Sequence, residues 1–327
     1  MGKGMQGDTI YGLLAVRIRR LLEMSRIQLE SLQEIRMRAG NPLLLKYRGT
    51  EYILTEHGEI SRDIQNACIV TKEEVEETLE YISGYSLYAF SEEIKQGFIT
   101  VPGGHRVGLA GKIVTEGSRI SCIRHISFIN IRLAHQIPGC ADRVMPYLIS
   151  KEGLCNTLIL SPPGCGKTTL LRDIIRQISD GTEKLPGMTV GVVDERSELA
   201  GSYLGIPQND LGIRTDVLDC CPKYQGMMML LRSMSPQVIA VDEIGGQEDM
   251  GALQRVRNCG CQMIASMHGD SFGEVVNKSY GEGVKIEQIF QRFIILGGRP
   301  VGTVREIVSS DGEILYQGTG GDVCGFR

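Results

Sequence analysis

Residues 161–169 limit the possible folds of this chain more than any other segment. They read Ser-Pro-Pro-Gly-Cys-Gly-Lys-Thr-Thr, with an apolar run at 157–160 before them and apolar residues at helical spacing after them. A glycine-rich turn between a buried strand and a helix is the setting in which backbone N–H groups bind phosphate. The segment therefore predicts a phosphate-binding loop of the Walker A type, with Ser161 where that pattern has glycine.

Each position of this loop has a predicted role. Gly164 and Gly166 allow the backbone to turn successive N–H groups inward, and Lys167 would reach the β- and γ-phosphates of a nucleotide. The hydroxyl of Thr168 would bind Mg²⁺. The predicted ATP-binding residues are Ser161, Pro162, Pro163, Gly164, Cys165, Gly166, Lys167, Thr168 and Thr169.

The second motif is a pair of acidic residues that follows another apolar run. Residues 238–241 read Val-Ile-Ala-Val and are followed by Asp242 and Glu243, which is a Walker B pattern. Asp242 would hold Mg²⁺ through its hydration shell, and Glu243 would polarise the attacking water as the catalytic acid residue. The Asn-Lys-x-Asp motif that reads guanine is absent from the sequence, so ATP is the favoured nucleotide.

Two more strand candidates end in polar residues. Residues 190–193 precede Asp194 and Glu195, and residues 263–266 precede Met267 and His268. The carboxyl ends of parallel strands share one edge of a sheet, where ligands bind. Asp194 or Glu195 is expected to orient water or metal. His268 either senses the γ-phosphate or makes only a local hydrogen bond.

The predicted pattern of secondary structure changes near residue 138. Residues 139–327 alternate apolar strand candidates with helical stretches, which predicts an α/β domain with a mainly parallel sheet. Residues 1–138 predict a smaller α+β domain, with a helix over 10–33, several strands, and a helix over 71–83 opened by a capping box of Thr71 and Glu74. Ile137-Pro138-Gly139 is the predicted linker.

Composition narrows the functional classes. The net charge is −4, which argues against a basic surface that binds nucleic-acid phosphates. Aromatic residues make up 6% and there is no Trp, which argues against a surface on which bases stack. No apolar run approaches the ~20 residues that span a bilayer. The 10 Cys lack zinc-site spacing, so we expect reduced cytosolic thiols and no structural zinc.

The order of these motifs resembles the motor ATPases of type II and type IV secretion. Within that group the chain resembles the stage III sporulation protein AA family. The residues that carry the resemblance are Ser161–Thr169, Val193–Glu198, Leu231–Glu243 and Cys261–His268, with Glu34-Ile-Arg-Met-Arg and Gly104-His-Arg-Val-Gly-Leu in the first part.

The resemblance implies a RecA-like P-loop ATPase domain behind the smaller N-terminal domain, assembled as a homo-oligomeric ring, a hexamer by analogy with such motors. It implies a cytoplasmic protein, peripherally bound at the cytosolic face of a membrane complex in the mother cell of a sporulating bacterium. It also implies a catalytic role for Arg232 and nucleotide contacts from Arg106, Arg124 or Arg132.

Three functions remain open on the sequence. The first is an ATP-hydrolysing ring motor that energises a secretion-like complex during endospore formation. The second is a nucleic-acid-stimulated ATPase of the RecA type. The third is a nucleotide-binding assembly scaffold with little turnover.

Overall fold

The computed structural model describes residues 10–86, 90–95, 97–117, 119–280, 285–297 and 301–318. The chain divides into two compact units, Met1–His135 and Gln136–Arg327. Across the described ranges, every helix is too short or too polar to cross a membrane.

The first unit is an antiparallel sheet with short helices. Its strands are β1 (Leu32–Arg38), β2 (Leu44–Tyr47), β3 (Thr50–Leu54), β4 (Ile60–Ser61), β5 (Phe98–Val101), β6 (His105–Glu116) and β7 (Arg119–Arg132). They form a seven-stranded sheet in the order β4-β3-β2-β1-β7-β6-β5. Its helices are α1 (Val16–Met24), α2 (Lys72–Ile82) and α3 (Ser91–Lys95), with a 3₁₀ turn at Leu29–Ser31.

Local backbone chemistry sets where these helices begin and end. The helix predicted over 10–33 is wrong in length, because Arg26 has a φ of 52° and this left-handed conformation stops α1 before the chain enters β1. The predicted capping box is confirmed at the start of α2. The Thr71 hydroxyl accepts a hydrogen bond from the Glu74 N–H at 3.2 Å, and the Glu74 carboxylate accepts one from the Thr71 N–H at 2.8 Å.

The second unit contains a larger sheet. Its helices are α4 (Met145–Leu148), α5 (Lys167–Asp180), α6 (Lys223–Ser233), α7 (Gln247–Asn258), α8 (Phe272–Val276) and α9 (Ile286–Ile289). Its strands are β8 (Ile149–Ser150), β9 (Gly153–Leu154), β10 (Thr157–Ser161), β11 (Val190–Asp194), β12 (Thr215–Asp219), β13 (Val238–Val241), β14 (Gln262–His268), β15 (Arg292–Leu296), β16 (Val304–Ser309) and β17 (Ile314–Gln317).

The strand order of this sheet brings the predicted motifs to one edge. Eight strands follow the order β12-β11-β13-β14-β10-β15-β16-β17. The first six of these run parallel, and β16 and β17 are antiparallel. In register, Ser161 lies beside His268 and Val193 beside Val241. The carboxyl ends of β10, β14, β13 and β11 are therefore neighbours.

Both faces of this sheet are covered, which explains why its central strands are apolar throughout. One buried cluster packs α5 residues such as Leu171 and Ile174 on one face. A second cluster packs α6 and α7 residues such as Met227 and Leu253 on the other. Because all five residues of β10 and of β11 are buried, polar chemistry is confined to the strand ends and the loops that follow them.

Candidate nucleotide-binding site

The loop between β10 and α5 contains two glycines in left-handed conformations. Gly164 has a φ of 73°, and Gly166, the N-cap residue just before α5, has a φ of 92°. Both values lie in the left-handed region, where residues with a side chain are strained. Pro163 and Gly164 are exposed, whereas Ser161 and Cys165 are buried, so the loop is open on one side.

Lys167 lies inside this loop rather than on the surface. It is 5% exposed, and its Nζ donates to the carbonyl oxygens of Ser161 at 3.1 Å and Pro162 at 3.3 Å. Nζ is also 3.1 Å from Nδ1 of His268. Burial lowers the pKa of Lys167, and the carboxylates of Asp242 and Glu243 oppose that effect. The ammonium is thus held by several acceptors at the mouth of the loop.

Thr168 and Asp242 meet directly, although they are far apart in sequence. The Thr168 hydroxyl donates to Oδ2 of Asp242 at 2.8 Å. The other carboxylate oxygen, Oδ1, accepts from the hydroxyl of Ser266. The same Ser266 oxygen accepts from the backbone N–H of Glu243 at 2.9 Å. One buried serine on β14 therefore orients both acids that follow β13.

Glu243 combines an unusual backbone conformation with charged neighbours at its carboxylate. Its φ is 52°, a left-handed value that is uncommon for a residue with a side chain. Its Oε2 accepts from the Arg196 guanidinium at 2.5 Å, and its Oε1 lies 3.3 Å from Nε2 of His268. Strained residues of this kind cluster at functional sites. Lys167, His268, Glu243 and Arg196 form a continuous chain of contacts across the strand ends.

Asp194 and Glu195 are neighbours with different surroundings. Asp194 is buried, and its two oxygens accept from the N–H groups of Glu198 at 2.9 Å and Ala200 at 2.8 Å. Burial raises the pKa of Asp194, and these backbone N–H groups oppose the rise. Glu195 is more exposed and forms an ion pair with Lys223. The carboxylate of Asp194 is directed to the following loop, and that of Glu195 to α6.

Part of this cluster borders a small, open cleft beyond the ends of β11 and β13. Its lining carries five carboxylates and two cations: Asp194, Glu195, Glu198, Asp242, Glu243, Arg196 and Lys223. A divalent cation would neutralise such an excess of carboxylates.

The structure places the predicted arginines outside this cluster. Arg232 lies in the last turn of α6, exposed, and borders a shallow groove with Tyr224 and Met228. The other three lie in the first unit, on the hairpin of β6 and β7. Arg106 stacks 3.7 Å from the ring centroid of Phe98, and it pairs in register with Arg132, while Arg124 pairs with Lys112.

Sequence reasoning missed four residues of this site. Ser266 and Arg196 contact the acids after β13, Lys223 pairs with Glu195, and the buried Arg172 donates to the carbonyls of Glu198 and Leu199 at 2.7 and 2.9 Å. Arg196 and Ser266 lay within the sequence segments already singled out, so their position beside the acids was an available signal. Arg172 had none beyond its place on the helix after the loop.

The relatives of this chain include spore-formation proteins. A sequence model of the family described as sporulation stage III, protein AA matches residues 5–315. Stage III sporulation protein AA of Bacillus subtilis (strain 168) is 41% identical over 305 residues, which are 93% of this chain and 95% of that protein.

Solved structures share the fold at low sequence identity. The pilus retraction motor PilT, solved with bound ADP, has a TM-score of 0.58 at 17% identity, covering 92% of this chain and 82% of its own. The ATPase DotB of Legionella pneumophila has a TM-score of 0.55 at 16% identity, covering 85% of this chain and 75% of its own. The chain thus has an α/β fold shared with P-loop ATPases.

Proposed function

The chain belongs to the stage III sporulation protein AA family, and on that premise we propose that it is an ATP-hydrolysing ring motor that energises a secretion-like membrane complex during endospore formation. The proposal assigns residues 139–327 to a RecA-like ATPase domain and residues 1–138 to a smaller N-terminal domain. The two likenesses that support it are membership of this sporulation family and the fold shared with a pilus motor.

One contact carries the enzymatic part of the proposal. Thr168 follows the phosphate-loop lysine, Asp242 follows the Walker B strand, and their side-chain oxygens are 2.8 Å apart. Both are hard oxygen donors, the ligand class that Mg²⁺ prefers, so the pair fits this metal. Thr168 and Asp242 would hold Mg²⁺, which offsets charge on the β- and γ-phosphates of bound ATP.

The other residues take roles that follow from their positions. Lys167 is buried at the mouth of the loop and provides a fixed positive charge for the β- and γ-phosphates. Glu243 orients the attacking water, because phosphoryl transfer depends on positioning and electrostatics more than on covalent chemistry. His268 lies between Lys167 and Glu243 and responds to the γ-phosphate through both contacts.

The remaining charged residues act around this centre. Glu195 lies at the edge of the cleft and helps to orient water or metal, while Asp194 holds the loop that carries Glu195. In the proposed ring, Arg232 and one of the N-terminal arginines Arg106, Arg124 and Arg132 reach nucleotide across subunit boundaries. An arginine supplied to a phosphoryl-transfer site can raise the rate by ~10³–10⁵.

Assembly and location complete the proposal. The chain forms a homo-oligomeric ring, a hexamer by analogy with secretion motors, on the cytosolic face of a sporulation membrane complex in the mother cell. This analogy is one of fold and family. ATP and Mg²⁺ are the cofactors, and neither zinc nor nucleic acid takes part.

The first test measures ATP hydrolysis against protein concentration while light scattering reports molar mass. We expect turnover to rise as subunits associate and to fall to a low residual rate in Glu243→Gln. The matched control is Glu248→Gln, which changes an exposed acid at the start of α7 and should keep wild-type turnover. Nucleotide binding without hydrolysis at every oligomeric state would instead favour an assembly scaffold.

A second test connects the site to sporulation. In a spore-forming host whose own copy is deleted, the wild-type chain should restore heat-resistant spores and Lys167→Ala should not, with both proteins present at equal amounts. Single-stranded DNA or RNA should leave the hydrolysis rate unchanged. Strong stimulation by either would favour the nucleic-acid motor.

A further inference from the structure

Glu243 needs an external group to hold its side chain. The residue is the second one after the end of β13, and its φ of 52° is left-handed. The Ser266 hydroxyl fixes the backbone by accepting the Glu243 N–H at 2.9 Å. That contact leaves the carboxylate free to rotate about its own bonds. A carboxylate that positions water must be oriented by a further residue.

Arg196 reaches this carboxylate from the neighbouring strand. β11 and β13 pair in parallel, so the residues that follow them lie side by side. Arg196 Nη1 is 2.5 Å from Glu243 Oε2, while His268 Nε2 is 3.3 Å from the other oxygen. The two contacts approach the carboxylate from different neighbours and together restrict its rotation. The shorter and charge-assisted one comes from Arg196.

The loop that carries Arg196 is anchored on both its N–H and its carbonyl groups. The buried Asp194 accepts from the N–H groups of Glu198 and Ala200. The buried Arg172, on α5, donates to the carbonyls of Glu198 and Leu199. Ser197 has a φ of 53°, so this short loop also contains a left-handed residue beside the cleft. The surroundings hold Arg196 at a defined place, although its side chain is 58% exposed.

We propose that Arg196 is the positioning residue for Glu243: its guanidinium holds one carboxylate oxygen so that the other can orient the attacking water. This inference rests on the proposed ATPase function. An ion pair as exposed as this one contributes little to folding stability, so its effect belongs to turnover. Arginine suits the role better than lysine because its planar guanidinium fixes direction as well as charge.

The experiment compares Arg196→Ala, Arg196→Lys and wild type in ATP hydrolysis and in titration with a fluorescent ATP analogue. We expect Arg196→Ala to lower kcat by about tenfold to a hundredfold, the effect of displacing a catalytic group by ~1 Å. The dissociation constant of the analogue and the KM for ATP should change less than about twofold, since the phosphate loop is intact. Arg196→Lys should recover part of kcat. Arg257→Ala removes an exposed arginine from α7 and should match wild type.

A double variant separates positioning from a general structural defect. Glu243→Gln removes the carboxylate that Arg196 holds, so adding Arg196→Ala to it should cause no further loss of residual turnover. A further loss equal to that of Arg196→Ala alone would refute the coupling. Unchanged or raised kcat in Arg196→Ala, with wild type active, would overturn the role of Arg196 and leave the ATPase proposal standing. A wild type that binds but never hydrolyses ATP, even when assembled, would overturn both.

Discussion

Replacing Glu243 by glycine and by alanine would test whether this residue stores backbone strain. Its φ of 52° lies in the left-handed region. Both replacements remove the same contacts to Arg196 and His268, and both keep the backbone N–H that donates to Ser266. The difference in stability between the two variants therefore isolates the conformation of the backbone.

At this position we expect the glycine variant to be more stable than the alanine variant, whereas within helices and strands alanine is the more stable of the two. A left-handed conformation costs a residue with a Cβ about 1–2 kcal/mol, and glycine avoids this cost. Glycine also gains conformational freedom in the unfolded chain, which lowers stability by about 0.5–1 kcal/mol relative to alanine. The net expectation is that Glu243→Gly is more stable than Glu243→Ala by about 0.5–1 kcal/mol.

Urea denaturation followed by far-ultraviolet circular dichroism would measure this difference. The control is the same pair of replacements at Glu248, in the first turn of α7, where glycine should be less stable than alanine by about 0.5–1 kcal/mol. Both Glu243 variants should hydrolyse ATP only at a low residual rate, so the more stable glycine variant would still lack normal turnover. Equal stability of the two, or alanine being more stable at position 243, would refute the strain argument.

Other perturbations address binding, metal and pH. Lys167→Ala should weaken ADP binding by about tenfold to a hundredfold, since a hydrogen bond to a charged group contributes about 1.5–3 kcal/mol; a fluorescent-ADP titration measures this, and an unchanged dissociation constant would contradict the loop assignment. Thr168→Val should raise the Mg²⁺ concentration for half-maximal hydrolysis about tenfold or more, measured by Mg²⁺ titration after chelator treatment, whereas an unaltered curve would remove Thr168 as a ligand. Burial lowers the pKa of His105 to about 4, below its unfolded value of ~6.5, so the neutral form stabilises the fold above pH 6.5 and this stability is lost as the pH falls toward 4. The free energy of unfolding should therefore drop by about 2 kcal/mol between pH 7 and pH 5 through His105 alone. His105→Gln should remove that part of the slope in urea titrations, and the exposed His125→Gln should keep it.

Prediction from sequence worked best where one short segment contains both the functional residues and the residues that form the secondary structure around them. The strand, turn and helix around residues 161–169 are such a case, since all three are contiguous and the structure has them in that order. The capping box of α2 is another. Prediction failed for the length of α1, because the apolar spacing continues past the point where Arg26 turns left-handed. The spacing of apolar residues along the sequence does not reveal where one residue adopts a left-handed φ.

The sequence by itself determined the family of this protein, the loop at 161–169, and the acids that follow its strands. Only the tertiary structure decided which side chains meet. Arg196 and Glu243 are 47 residues apart, and Ser266 is 24 residues from Asp242. They come together because β11, β13 and β14 are adjacent in the sheet. Strand order depends on long-range packing of the whole unit, whereas periodicity and motif spacing report only the local chain.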